Sequence, residues 1–238
     1  MVEWVVKAMS GITGIKRTAL ISNDRFAADY DQWISRFKAE RPSLLPTLIN
    51  DGSTSPDNQV GAIGDLHFAL NESQLYDDDL IVAGGDDLFV KCQAPFISFA
   101  PSKPVSIATH DLGSPEVAKR FASLETDNGG RITGFVEKPK NPVTTIAGTA
   151  FYFFQRDTLR LVDDYLAEGN NPDNAGFLFQ RLFPRVPTYA HPVNGLWFDV
   201  GTEEALEEAR KYFGSNRQLA KATAPSTNRG ENQIGIKD

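Results

Sequence analysis

Leu80-Ile81-Val82-Ala83-Gly84-Gly85-Asp86-Asp87-Leu88-Phe89 is the stretch on which the reading of this chain turns. Four apolar residues, Leu80 to Ala83, show no polar alternation and predict a strand buried on both faces. Gly84 and Gly85 then allow a sharp turn, or the close approach of another group to the backbone. Two carboxylates follow at once. In open α/β sheets the ligand crevice lies beyond the carboxyl ends of the strands, so Asp86 and Asp87 stand where a bound cation or phosphate would be met. The plain alternative is a Gly-Gly-Asp-Asp turn with no ligand, and these ten residues alone do not choose between the two.

Downstream of this stretch, Val105 to Ala108 reads as another buried strand. Phe121 to Thr126 and Arg131 to Val136 read as hairpin arms around Asp127-Asn128-Gly129-Gly130. The second arm ends in Glu137-Lys138-Pro139, whose proline stops ladder bonding and leaves the charged pair at the strand end. Ala147 to Phe154 is a long apolar strand expected at the centre of the sheet, with Gly148 a place where a ligand could approach closely. Helical patterns cover Leu159 to Leu166 and Phe177 to Phe183. Tyr189 and Val193 lie on a strand leading to Trp197-Phe198-Asp199-Val200-Gly201-Thr202. Thr202 is placed as the N-cap of a helix buried through Ala205, Leu206, Ala209, Tyr212 and Phe213 and closed by Gly214.

Upstream, Met1 to Ser10 carries a helical stripe, and Thr18 to Ile21 and Thr47 to Ile49 are short strands. The helix between them, Arg25 to Lys38, should bury Phe26, Tyr30, Trp33, Ile34 and Phe37. Asn50 to Asn58 is a polar loop between a strand and a helix carrying Val60, Ile63, Leu66 and Leu70, the arrangement of a phosphate or base cradle or of a solvated connection. His67 on that helix reads as structural. Strands alternating with helices predict a Rossmann-like α/β fold. Its sheet should be mixed but mostly parallel, with helices on both faces and a short antiparallel insert.

The 238 residues carry a formal charge of -7, which argues against a nucleic-acid backbone as partner. No apolar run reaches the roughly 18 residues needed to span a bilayer, and no signal-peptide pattern opens the chain, so a cytoplasmic location is the default. The single cysteine, Cys92, excludes an internal disulfide framework and a Cys-rich zinc site, and suits a small core position. Residues 215–238 turn polar without periodic apolar positions and are expected to be a disordered tail after a folded domain over 1–214.

Three strand-end motifs now stand in order: Gly85-Asp86-Asp87-Leu88-Phe89, Phe135-Val136-Glu137-Lys138-Pro139 and Trp197-Phe198-Asp199-Val200-Gly201-Thr202. As a set they resemble the sugar-1-phosphate nucleotidyltransferases, over about Met1 to Phe213. The resemblance implies that Asp86 and Asp199 jointly hold Mg²⁺. It also implies that Glu137 binds the sugar and Lys138 a phosphate, with Gly148 and Thr149 among the substrate contacts. The stretch from Gly52 and Ser53 to Gly61 matches the family's base-contacting segment, with Asn58 where a glycine is more usual. The implied substrates are a nucleoside triphosphate and a sugar 1-phosphate. One departure is large. The family opens with a strand and a loop of the form G-x-G-T-R-L-x-P-x-T that wraps the triphosphate, and nothing in this sequence matches it. Either the sequence is an N-terminal truncation or this homologue has lost that part; in both cases turnover should be weakened and a central strand missing, leaving backbone groups to be covered and homo-oligomerisation open.

The chemistry suits the composition. A sugar phosphate oxygen is already an anion at neutral pH, so its attack on an α-phosphorus needs positioning and charge neutralisation rather than a protein base. Two aspartates complement Mg²⁺, which prefers carboxylates and substrate phosphates to an all-protein cage. Two other readings remain at this level. A non-catalytic nucleotide-sugar-binding relative or regulatory subunit would explain the unmatched loop. A nucleotide-sugar-dependent glycosyltransferase would use Asp86 and Asp87 as a metal-binding acidic pair and release nucleoside diphosphate instead of pyrophosphate.

Overall fold

The computed structural model describes residues 1–9, 12, 14–40, 45–91 and 93–215. The expected tail from residue 216 onward and Cys92 lie outside them. The elements in chain order are α1 (Val2–Met9), β1 (Ala19–Ser22), α2 (Asp24–Glu40), β2 (Thr47–Asn50), α3 (Gly61–Glu72), β3 (Leu80–Ala83) and β4 (Asp87–Phe89). They continue with α4 (Ala94–Phe99), β5 (Val105–Asp111), α5 (Pro115–Ala118), β6 (Ser123–Thr126), β7 (Ile132–Val136) and β8 (Ile146–Phe154). The last are α6 (Arg160–Ala167), α7 (Ala175–Leu182), β9 (Thr188–Pro192), β10 (Trp197–Asp199) and α8 (Glu203–Ser215).

β8 is the hub, as its length and apolar run predict. On one edge it pairs antiparallel with β5 from Val105↔Phe154 to Asp111↔Ile146. Its other edge is shared. β3 takes the carboxyl-terminal half, from Leu80↔Phe154 to Ala83↔Phe151, while β6 touches the other half at Ser123↔Ala147. β9 adds parallel to β5, and β7 adds antiparallel to β6. Thus β3, β5, β6 and β9 run one way and β8 and β7 the other, a mixed sheet in which one direction dominates. Side chains alternate across it. Phe154 joins Ile63, Leu66, Leu70, Leu178 and Phe179 on the face covered by α3, α6 and α7. Phe151 and Phe153 face Phe96 of α4 on the other. Each fully buried ring is worth about 1.5–3 kcal/mol relative to exposure, so this double-sided aromatic strand anchors the domain.

Two smaller sheets flank the hub. β1 and β2 pair in parallel from Ala19↔Thr47 to Ser22↔Asn50, with α2 as the crossover that parallel strands require. β4 and β10 form an antiparallel pair clamped by Val5 of α1 and Ala209 of α8. The alternation of strands and helices did not reveal β4, whose three residues follow the double glycine after Asp86 alone.

Several expectations are corrected. Leu80 to Ala83 are half-buried rather than buried on both faces, because one edge of β3 borders a groove of about 1100 Å³ that separates it from β1. Among the described residues no strand bridges β1 to β3. In α2 only Phe37 of the expected stripe is fully buried, and Phe26 is 45% exposed, its ring instead lying under the Arg25 guanidinium. Val60 is exposed because it precedes α3 rather than lying on its inner face. α8 runs through Gly214 to Ser215. Thr202 does cap it, its hydroxyl accepting from the Ala205 N–H at 3.2 Å.

Candidate active site

The shared edge of β8 creates the site. At Ala83 and Gly84 β3 leaves β8, the Gly84 N–H giving its last bond to the Ala150 carbonyl at 2.7 Å. Farther along, the Gly148 N–H bonds to the Ala122 carbonyl at 3.3 Å as β6 takes over. Where the two partners diverge the edge opens into a cavity of about 250 Å³. Asp86, Asp87, Glu137, Lys138, Gly148, Thr149 and Asp199 all line it. A crevice where neighbouring strands part is the general ligand position of open α/β sheets.

The β4–β10 pair sets the acidic end. Its register puts Asp199 directly across from Asp87, and the Val200 N–H donates to the Asp86 carbonyl at 3.1 Å. Three carboxylates therefore converge from two strand ends. Asp86 opens onto the cavity, and partial burial, then the charge of Asp199, hold its carboxyl above the usual range. Asp87 is only 3% exposed. Burial pushes its pKa up to about 7, with the Trp197 indole opposing and Asp86 and Asp199 adding to the rise. Its Oδ1 accepts from Trp197 Nε1 and from the Ala150 N–H. Asp87 thus ties β10 to β8 from within, while Asp86 and Asp199 face outward.

The other end is built on Glu137 and Lys138. The Glu137 carboxylate accepts from Asn174 Nδ2 at 2.8 Å, and Asn174 Oδ1 caps α7 by accepting from the Gly176 N–H at 2.7 Å. A Cβ on Gly176 would stand 1.8 Å from Glu137 Oε2, so a glycine is what lets this carboxylate lie over the first turn of α7. Burial raises the Glu137 pKa, and Asn174 and Lys138 offset part of the rise. Lys138 has φ 46°, one of two non-glycine residues with positive φ among those described. Strain of this kind costs about 1–3 kcal/mol and concentrates where a side chain must be aimed. Lys138 is exposed and is one of the residues lining the cavity.

Not every residue singled out in the sequence comes here. Gly148 lines the cavity, but a Cβ there would make only ordinary contacts, with Ile107 Cγ2 at 3.5 Å the nearest. The Thr149 hydroxyl donates to the Ala108 carbonyl at 3.1 Å. Gly52, Ser53 and Gly61 lie outside the cavity lining. Ser53 is buried, its hydroxyl held by the Asp51 carboxylate at 2.8 Å. Gly61 has φ 76°, and a Cβ there would meet the Pro172 carbonyl at 2.7 Å, so this glycine serves packing against residues 172–173. Arg120, Asn174 and Trp197 also line the cavity. Sequence reasoning passed over their roles; only the capping pattern before α7 could have marked Asn174.

The donor set fits Mg²⁺ as a partial shell. Among the described residues no group of three His, Cys, Asp or Glu side chains is arranged to hold a metal by itself. Two outward carboxylates leave the remaining positions to water and phosphate oxygens, the way this ion is usually bound.

The nucleotidyl transferase family model matches residues 1–215. A glucose-1-phosphate adenylyltransferase of Clostridium acetobutylicum is 31% identical over 204 residues, covering 83% of this chain and 52% of the relative. One from Desulfitobacterium hafniense is 27% identical over 183 residues, covering 74% and 44%. The chain thus spans about half the length of these relatives. A putative glucose-1-phosphate thymidylyltransferase from Bacillus anthracis, solved in complex with a sucrose, superposes with a TM-score of 0.71 at 16% identity. That superposition covers 89% of this chain and 81% of the other, a likeness of fold. Among the described residues no helix is long and apolar enough to cross a membrane. Asp86, Asp87, Glu137, Lys138 and Asp199 line one cavity, and with the family model matching residues 1–215 the chain belongs to the nucleotidyl transferase family.

Proposed function

We propose that this chain carries the metal- and sugar-phosphate-binding half of a sugar-1-phosphate nucleotidyltransferase. The observation that carries the reading is the common cavity of Asp86, Asp199, Glu137 and Lys138. A phosphate oxygen of the sugar 1-phosphate attacks the α-phosphorus of a nucleoside triphosphate. The new P–O bond forms as the bond to the β-phosphate oxygen breaks, and pyrophosphate leaves with that electron pair. Asp86 and Asp199 would hold Mg²⁺, which supplies charge neutralisation between the two phosphates. Lys138 contributes a point charge against the same repulsion. Glu137, oriented by Asn174, accepts hydrogen bonds from sugar hydroxyls. The inner carboxylate of Asp87 holds the β4–β10 pair against β8 through Trp197 and Ala150.

The experiment is a pyrophosphate-release assay with Mg²⁺, each nucleoside triphosphate and a panel of sugar 1-phosphates. The 238-residue chain is expected to bind a sugar 1-phosphate with Mg²⁺ but to turn over slowly, because no G-x-G-T-R-type segment for the triphosphate occurs in it. Release of nucleoside diphosphate from an intact nucleotide sugar would favour a glycosyltransferase. Absence of both binding and turnover across the panel would remove the reading.

A further inference from the structure

Arg120 lines the same cavity and has no part in the site as built above. Arginines elsewhere on the surface are engaged: Arg17 with Asp78 at 2.6 Å, Arg160 with Asp163 at 3.1 Å, and Arg181 and Arg185 with Glu168 at 3.1 and 2.7 Å. Lys119, the preceding residue, is tied to Glu116 at 2.5 Å. Arg120 is exposed, and among the described residues its guanidinium is paired with no carboxylate and no carbonyl. It thus borders a cavity lined by four carboxylates without being bonded to any of them.

Its backbone, by contrast, is fixed on both sides. Ser114 caps α5, its hydroxyl accepting from the Val117 N–H at 3.4 Å. The Arg120 and Phe121 N–H groups then donate to the Val117 and Ala118 carbonyls at 3.1 and 3.2 Å. Ala118 and Ala122 are buried, and the Phe121 ring packs edge-on against Trp197 at 5.3 Å between centroids. The Phe121 carbonyl accepts from the Lys138 N–H at 3.2 Å. Arg120 and Lys138 therefore reach one cavity from adjoining, hydrogen-bonded backbone.

Charge says what a second cation is for. Asp86, Asp87, Glu137 and Asp199 face only Arg120 and Lys138 around the lining, and the Lys138 charge already acts on neighbouring Glu137. A phosphate monoester adds about 1.5–2 negative charges at neutral pH. The planar guanidinium fork can meet two phosphate oxygens at once, where a lysine offers a point charge. We propose that Arg120 is a second phosphate-binding residue, closing with Lys138 on the phosphate of the sugar 1-phosphate. The inference rests on the function proposed above and adds a residue to it.

The test measures dissociation constants by calorimetry, with Mg²⁺ present, for the full 238-residue chain and for Arg120→Met and Arg120→Lys. The ligands are a panel of sugar 1-phosphates led by glucose 1-phosphate, inorganic phosphate, and a nucleoside triphosphate. Methionine keeps an apolar stem and removes the guanidinium, so the thermal midpoint should not move. Arg120→Met should bind sugar 1-phosphate and inorganic phosphate about tenfold more weakly, by the same factor for both, because the contact is to the phosphate alone. Arg120→Lys should recover part of the loss, keeping the charge without the fork. A loss confined to the nucleoside triphosphate would put Arg120 on the other substrate and overturn the proposal. A loss that follows a lowered thermal midpoint and is not recovered by lysine would overturn it too. If the parent chain binds neither sugar 1-phosphate nor inorganic phosphate, the proposed function falls and this inference with it. A parent that binds both, with Arg120→Met unchanged, sinks the inference alone.

Discussion

The two sides of the groove differ in how their strands are held. On the β8 side, β3 is locked by four registered pairs, and β4 is pinned to β10 between α1 and α8, so the acidic turn has little freedom. On the β1 side, a two-stranded sheet backed by α2 reaches the rest of the domain through α3. The difference teaches that this chain can gather Asp86, Asp199, Glu137 and Lys138 around one cavity without a continuous sheet among the described residues. Asp86, Asp199 and Lys138 are all positioned from β8 outward, whereas Gly52, Ser53 and Gly61 are positioned from β2 and α3.

The largest effect should come from attacking the seam between the halves. Gly61→Ala places a Cβ against the Pro172 carbonyl at a positive φ and should destabilise by about 2–4 kcal/mol, read as a lower denaturant midpoint. The proposed metal site at Asp86 and Asp199, anchored on the other side, should keep its affinity under native conditions. If metal affinity falls with stability, the two halves are one unit and the comparison breaks.

Next is the inner carboxylate. Asp87 has its pKa raised to about 7 in the folded chain against 3.8 for an ordinary aspartate. The folded state thus binds this proton more tightly than the unfolded one. Its contribution is fully present below about pH 4 and is lost as pH rises toward 7. Asp87→Asn keeps an acceptor for Trp197 and Ala150 and removes the charge. Without metal, its unfolding free energy should exceed the parent's by a few kcal/mol at pH 8 and match it near pH 4. A pH-independent difference would mean that Asp87 is ionised throughout. The smallest effect is local. Lys138→Ala should weaken sugar 1-phosphate binding about tenfold by calorimetry, roughly what one charge-assisted contact contributes, with no change in stability on either side of the groove.

The order of strands and helices was legible because β8, β3 and α8 announce themselves by uninterrupted apolar runs or by caps. The ends of Asp86, Lys138 and Asp199 were legible for the same reason: each sits where a strand visibly stops. What stayed hidden depends on long-range pairing. The Asp87–Asp199 register needs β4 and β10, three residues each, to find one another across more than a hundred positions. Asn174 supporting Glu137 is likewise invisible in one dimension. The exposure of Leu80 to Ala83 was misread because an apolar run looks the same whether or not its neighbour is present. Phe26 looked buried for a similar reason, since helical spacing does not say how wide the covering layer is.

The central claim is that Asp86 and Asp199 act together on one divalent cation. Electron paramagnetic resonance of Mn²⁺, used in place of Mg²⁺, tests it in the parent chain and in Asp86→Asn and Asp199→Asn, each with and without sugar 1-phosphate. The account predicts one bound Mn²⁺ per chain, tightened by the sugar phosphate, and lost by at least about tenfold in either variant, with the double variant little worse than each single one. Unchanged Mn²⁺ binding in Asp199→Asn, or two independent additive losses, would contradict it.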